Sequence, residues 1–392
     1  MKLNKMAALF LTLPLFMQCA STTLKENEYS IKGKIEGADV KHGYIMVFDK
    51  AAPRGVRFDS AAIENGVMDH IGTIKQPEVV SMSFRSDKIT KWVGQGKQRG
   101  YLPVKSALLQ FIAFPGAKIE LKGNLSDFVN VYAYGDDENK VLSSFLSEIN
   151  PVLNESANYY VKTVNDTTLT EAQVKEYEKK SMELGEKANA IRIKFLEKNA
   201  SSIAGLWLIE DMLMRSQIDL SKAEECFKTV DATKYADLSY YKNVRDRIKA
   251  VKATAIGQIA PAIEGVDMNT GKSISLQSMN DKYVLIDFWG TWCGPCMNGM
   301  PEMKAFRDKH KEKLQILGLA KDRNAEEVKK VLDKVGMDWP NILIGEGEAD
   351  FVSKYNVQGY PTKILVDQKG KILLRSMGED PKFYQQIEEI IK

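Results

Sequence analysis

Tyr283 to Trp289 reads YVLIDFW, an almost unbroken apolar run that passes through Gly290, Thr291 and Trp292 into Cys293-Gly294-Pro295-Cys296. A strand with side chains this apolar on both faces must be covered on both faces. The residues after Cys293 carry the spacing of an amphipathic helix to about His310, so the cysteine pair sits where a buried strand hands over to a helix. That junction demands a layered α/β unit. The rest of the segment agrees: LQILGLA reads as a second strand, AEEVKKVLDKVG as a helix and NILIG as a short strand. GYPTKILVD and KILLRSM form a hairpin turned at Lys369-Gly370, with a last helix from Pro381 onward. VDMNTGKSISL, just ahead of the buried strand, reads as a hairpin turning at Asn269-Thr270-Gly271. The α/β unit is expected over 257–392, opened by GQIAPAIEG.

The chain has 392 residues, too many for one ordinary core. From Tyr29 to Tyr134 the pattern is β, with YSIKGKIEG, GYIMVFD, VVSMSFR, LLQFIAF and AKIELKG punctuated by Gly and Pro. An all-β, sandwich-like domain over 29–135 is expected. The stretch 136–252 changes to helix, with an N-cap at Thr170 opening a long charged helix. Cys226 falls at helical spacing with Ala223, Phe227 and Val230, which predicts a buried, inert thiol.

Residues 1–18 carry Lys2 and Lys5 ahead of an apolar run from Met6 to Met17, the pattern of an export signal. The run ends at Cys19, followed by small polar residues. That order resembles a bacterial lipoprotein signal and implies a lipid on Cys19, although Gln18 stands where a small residue is usual. Lys and Arg total 55 against 52 Asp and Glu, with no basic block, so nucleic-acid binding has no electrostatic support. The four cysteines, Cys19, Cys226, Cys293 and Cys296, are too few for a disulfide-stapled scaffold.

The close pair is therefore chemical. Cys293 would lie at a helix N-terminus, where unpaired N–H groups and the helix dipole favour a thiolate, the attacking species in disulfide exchange. Cys296, one turn into the helix and less exposed, would resolve the mixed disulfide. Pro295 suits the first helical turn, where a missing N–H costs nothing. Zinc would need four ligands. The only histidines, His42, His70 and His310, are not at ligand spacing to the pair, so neither metal nor cofactor is expected. Asp287, in an otherwise apolar strand, should titrate high because burial disfavours its charge.

Asp287-Phe288-Trp289, Trp292-Cys293-Gly294-Pro295-Cys296, Pro301 and Gly359-Tyr360-Pro361-Thr362 together resemble a thioredoxin domain. The GQIAP entry and the insert around Glu326 to Gly347 are similar to the exported TlpA/ResA-type branch. The resemblance implies a cis bond before Pro361 and a substrate-meeting surface formed by Trp292, Tyr360 and Pro361. The Tyr360 backbone would pair with an extended substrate segment. It further implies that Asp287 takes the proton from Cys296. Many members of that branch carry a glutamate three places after the second cysteine. Here that place is Gly299, which puts a cytochrome-maturation role in doubt. The runs VRFDSAAIENGVMDHIG and FIAFPGAKIELKG are similar to a β domain that precedes thioredoxin domains in many exported bacterial proteins.

The expected activity is thiol–disulfide oxidoreduction on disulfide-bonded exported proteins, in the cell envelope facing the periplasm, with a lipid anchor and a membrane electron donor. A surface ligand-binding lipoprotein using the thioredoxin domain as scaffold is the alternative. An intact Cys293/Cys296 pair with Asp287 and Pro361 speaks against an idle domain.

Overall fold

Alternation of apolar and polar residues builds the first layer of the protein. A computed structural model describes residues 23–48, 56–96 and 99–392, so the expected signal at 1–18 and Cys19 lie outside the described residues. In chain order come β1 (Glu28–Glu36), β2 (His42–Phe48), β3 (Val56–Glu64), β4 (Val67–Thr73) and β5 (Glu78–Ser83). A small ribbon of β6 (Lys91–Val93) and β7 (Gly100–Leu102) follows, then β8 (Leu108–Ala113), β9 (Lys118–Asn124) and β10 (Tyr132–Tyr134). Eight of these form one hydrogen-bonded ladder, β10-β9-β1-β4-β3-β2-β5-β8. The pairing of β1 with β9 is parallel.

The sandwich-like character comes from folding this ladder over rather than from two separate sheets. Tyr29 on β1 and Phe111 on β8, far apart in the strand order, have ring centroids 6.3 Å apart. They share one core with Ile31, Ile45, Met82 and Leu121. Inward-facing residues every second position make that possible, and burial of each large side chain contributes about 2 kcal/mol.

Six helices follow: α1 (Asp137–Asn165), α2 (Glu171–Asn199), α3 (Ile203–Met214), α4 (Leu220–Lys228), α5 (Ala232–Tyr235) and α6 (Ser239–Ala253). Thr170 caps α2 as read from the sequence, exchanging hydrogen bonds with Gln173 in a capping box. α1 and α2 form a hairpin, with Phe145 against Phe195 at 4.8 Å and Tyr159 against Tyr177 at 5.4 Å. α1 also covers the open edge of the ladder. The Asn139 side-chain amide accepts from Ile112 N at 2.8 Å and donates to Ile112 O at 2.9 Å, so a side chain stands in for a further strand. Cys226 is buried with Ala223 and Val230 as a free thiol, and burial pushes its pKa up.

The C-terminal unit opens with the hairpin of β11 (Glu264–Val266) and β12 (Ser273–Ser275), then β13 (Tyr283–Trp289) and α7 (Gly294–Lys309). β14 (Leu314–Ala320), α8 (Ala325–Val335), β15 (Asn341–Leu343) and the short α9 (Phe351–Lys354) follow. β16 (Thr362–Val366), β17 (Ile372–Met377) and α10 (Pro381–Ile391) complete it. Its sheet runs β15-β14-β13-β16-β17, with β13 central. β13 is parallel to β14 and antiparallel to β16, the mixed order expected from alternating elements that end in a hairpin. One core lies on each face, as the unbroken apolar run of β13 requires.

The helices dock on this unit beside its functional loop. Gln358 Nε2 donates to Leu213 O at 2.8 Å, Ser216 Oγ to Gln358 Oε1 at 3.0 Å, and Arg247 Nη1 to Asn356 Oδ1 at 2.8 Å. Arg375 ties the same segment to β17 by donating to the carbonyls of Tyr355 and Asn356.

Candidate active site

β13 alternates between the two cores. Leu285 and Trp289 pack in the cluster that holds Cys293, Cys296, Met300 and Leu365, whereas Ile286 and Phe288 belong to the opposite face. Asp287, between Leu285 and Trp289, therefore projects to the cysteine side. After Trp289 the chain turns at Gly290, where an added Cβ would meet the Trp292 indole and Lys321 O at 2.7 to 2.9 Å. The turn is held from β14's end. Lys321 N donates to Trp289 O at 2.8 Å, Trp292 Nε1 donates to Lys321 O at 2.9 Å, and Thr291 N donates to Asp322 Oδ2 at 3.1 Å. Burial opposes charge on Asp322, but hydrogen bonds from the Thr291 hydroxyl and from the backbone N–H groups of Thr291, Arg323 and Asn324 prevail and hold its carboxyl below the usual range.

Cys293 is the N-cap of α7, and Cys296 N donates to its sulfur at 3.2 Å. Pro295 occupies the first turn. The two cysteines form a disulfide with Cα atoms 5.3 Å apart. One expectation changes here. Cys296 is less exposed than Cys293 only marginally: the residues are 3% and 4% exposed. The disulfide holds both sulfurs against the same core beside Trp289 and Met300, so position at the helix end, not exposure, separates them.

The other residues named from the sequence gather around the pair. The Tyr360–Pro361 bond is cis. Tyr360 packs against the cysteine core, and its ring meets that of Trp292 edge-on at 5.1 Å. Trp292 is 59% exposed beside two buried sulfurs, so its indole stands at the rim. Trp289 is fully buried, donating from Nε1 to Asn341 Oδ1 at 3.0 Å. Asn341 is in turn held by Asp267, which accepts from its backbone N–H at 3.0 Å.

Asp287 is 3% exposed and its Oδ1 has no hydrogen-bond partner. Burial pushes its pKa up to about 6; Lys363 opposes this and Glu379 adds to it. Among the described residues no group of three or more His, Cys, Asp or Glu side chains is arranged to hold a metal ion.

Known families match two separate parts of the chain. The Redoxin family matches residues 255–390, and a domain of unknown function (DUF4369) matches residues 29–142. The thiol-disulfide oxidoreductase ResA of Bacillus thuringiensis is 36% identical over 138 residues, covering 35% of this chain and 77% of that protein. The chain belongs to the thioredoxin-superfamily thiol–disulfide oxidoreductases. The thioredoxin-like protein YneN of Bacillus subtilis is 32% identical over 120 residues, covering 30% of this chain and 68% of that protein. The thioredoxin domain of a thiol-disulfide oxidoreductase from Bacteroides vulgatus is 33% identical, covering 35% of this chain and 99% of that structure, with a TM-score of 0.33.

Two charged residues of this oxidoreductase's site escaped the sequence reading. Lys363 lies directly opposite Asp287 in the β13–β16 register, and its side chain is 4% exposed. Its ammonium pairs with Glu379 Oε1 at 2.8 Å. Glu379 follows β17, and its carboxylate fills the space over Gly299, where an added Cβ would lie 2.3 Å from Oε1. The glycine read as a lost acid is instead the gap that admits an acid from elsewhere in the chain. A lysine two places after Pro361, inside the otherwise apolar TKILV, was a usable signal for Lys363. Gly378-Glu379-Asp380 reads as an ordinary polar turn and offered none.

The elevated Asp287 pKa yields a stability prediction. Its ordinary value is 3.8, so the folded state binds the proton more tightly than the unfolded chain. The carboxyl is harmless below about pH 4 and becomes costly as pH rises through about 6, by on the order of 3 kcal/mol when fully ionised. In urea titrations of the oxidised protein, Asp287→Asn is expected to be more stable than wild type at pH 8, with the advantage shrinking towards pH 4. An advantage that is independent of pH would show that burial does not oppose the charge.

Proposed function

We propose that this oxidoreductase reduces disulfides of exported proteins with Cys293 as nucleophile and Cys296 as resolver. The observation that carries the reading is Cys293 at the N-cap of α7, with the Cys296 N–H aimed at its sulfur. A Cys293 thiolate attacks one substrate sulfur, forming a mixed disulfide and releasing the other substrate sulfur as a thiolate. Cys296 then attacks the Cys293 sulfur and gives its proton to Asp287. The second substrate sulfur leaves as a thiolate, water protonates both substrate sulfurs, and the substrate has taken two electrons while Cys293–Cys296 is left oxidised. Trp292, Tyr360 and Pro361 form the surface against which the substrate segment lies, with the Tyr360 backbone pairing as an added strand would. Cys293→Ser is expected to abolish reduction, while Cys296→Ser accumulates a mixed disulfide that non-reducing gels resolve. Preferential alkylation of Cys296 at neutral pH would reverse the two roles.

Direction follows from what lies between the cysteines. Gly294-Pro295 adds no cationic side chain to stabilise the reduced, thiolate form, and a stabilised reduced form is what makes an oxidant. The potential is expected near about −270 mV rather than about −120 mV, a gap on the order of 7 kcal/mol for two electrons. Equilibration with dithiothreitol or glutathione, followed by thiol alkylation, measures it. A midpoint above about −180 mV would turn the assignment to isomerisation or oxidation.

An oxidising compartment would leave such a pair oxidised, so steady reduction requires a membrane partner that delivers electrons. Among the described residues no helix is long and apolar enough to cross a membrane. The apolar run ending at Cys19 supports an export signal over 1–18 and a lipid anchor at Cys19, placing the protein in the envelope facing the periplasm. The mass of the N-terminal peptide of the expressed full chain is expected to show acylated Cys19; an unmodified peptide starting at Ala20 or beyond would remove the anchor.

A further inference from the structure

The charges behind the disulfide form a connected group that the exchange reaction itself does not require. Asp287 and Lys363 are direct cross-strand neighbours, so their side chains leave the sheet on the same face. Both are buried within the core that contains Cys293 and Cys296, yet Lys363 places its ammonium on Glu379, 2.8 Å away, while Asp287 Oδ1 is left without a partner. A buried ammonium beside two carboxylates would, with one of them removed, turn to the other. Glu379 can compete because Gly299 has no side chain; its carboxylate rests against α7, one turn past Cys296. Glu379 also reaches solvent, its side chain being 29% exposed.

We propose that Lys363 and Glu379 are positioning residues for proton transfer, a clamp in which Glu379 holds the Lys363 ammonium away from Asp287 so that Asp287 can both take and return the thiol proton near neutral pH. The clamp rests on the reading of Asp287 as acceptor of the Cys296 proton. If Lys363 paired fully with Asp287, the carboxylate would be locked as an ion and would be a poor base. Without Lys363, Asp287 would keep its proton to higher pH and be less available as an acceptor near neutral pH. The charges act on Asp287 with the same signs: burial raises its pKa, Lys363 lowers it and Glu379 raises it.

The groups that face Asp287 are few. Cys296 lies on α7, Lys363 on β16, Glu379 on the turn after β17, and Tyr384 on α10 with a buried hydroxyl that lacks a partner. Tyr384 feels Asp287, Glu379 and, from α7, Glu302. On the β14 side the residue opposite Asp287 is Gly318, which carries no charge.

The clamp predicts opposite movements from its two halves. The test follows the Asp287 carboxyl carbon by NMR across pH in the oxidised full chain, beside the pH dependence of mixed-disulfide resolution. Lys363→Met is expected to move both midpoints to higher pH by about one unit, a tenfold change in the ratio of ionised to protonated carboxyl. Glu379→Gln is expected to move both to lower pH. Gly299→Ala removes no charge and suits a helix interior. It pushes the Glu379 carboxylate off its seat and should follow Glu379→Gln, which keeps the proposal testable if Lys363→Met fails to fold. Shifts of one sign in all variants, or no shift in the carboxyl titration, would overturn the clamp. Failure of the underlying reading looks different: Asp287→Asn would leave resolution unchanged while the carboxyl titration still moved in opposite directions, and the clamp would then stand as an electrostatic device without its proton-transfer role.

Discussion

The central strand of the thioredoxin unit carries a carboxyl into a core that is almost closed to solvent, and the site is arranged around that fact. A strand apolar on both faces fixes the position of everything at its end, because neither face can slide without exposing Leu285, Ile286 or Phe288. The end of β13 is therefore a rigid place from which to start α7. Cys293 inherits the helix N-terminus from that junction, and Asp287 inherits the desolvation. The same burial that positions the cysteines makes charge behind them expensive, so any ionised group there needs a counter-charge. Lys363 and Glu379 supply one as a pair, with Asp287 outside it.

Support for the site comes from loops distant from the cysteines along the chain. Asp267, at the β11–β12 turn, accepts hydrogen bonds from Asn269, Thr270 and Asn341. Asn341 then receives the Trp289 indole, so a hairpin remote from the cysteines fixes the last residue of β13. Asp322 does the same for Thr291, and Lys321 for Trp292. The helices ahead of residue 254 reach the site's other wall, where Leu213, Ser216 and Arg247 hold residues 356 to 358 just before the cis Tyr360–Pro361 bond. A thioredoxin unit alone would lack these contacts.

The amino-acid sequence by itself determined the elements and their kind. Apolar periodicity set β13 as a doubly covered strand, the cysteine spacing set the junction, Thr170 set the start of α2, and the motif residues from Asp287 to Thr362 set the family resemblance. These are local signals, written in neighbours along the chain, and they survive in a string. Tertiary structure alone decided which distant residues meet. It folded a single β ladder over so that Tyr29 faces Phe111, buried both cysteines almost equally, and seated the Glu379 carboxylate in the gap at Gly299. No periodicity encodes those meetings, since each depends on how sheet twist and helix packing bring separate segments within a few ångströms. A glycine in α7 and a glutamate in a polar turn carry no mark of each other until the core between them has formed.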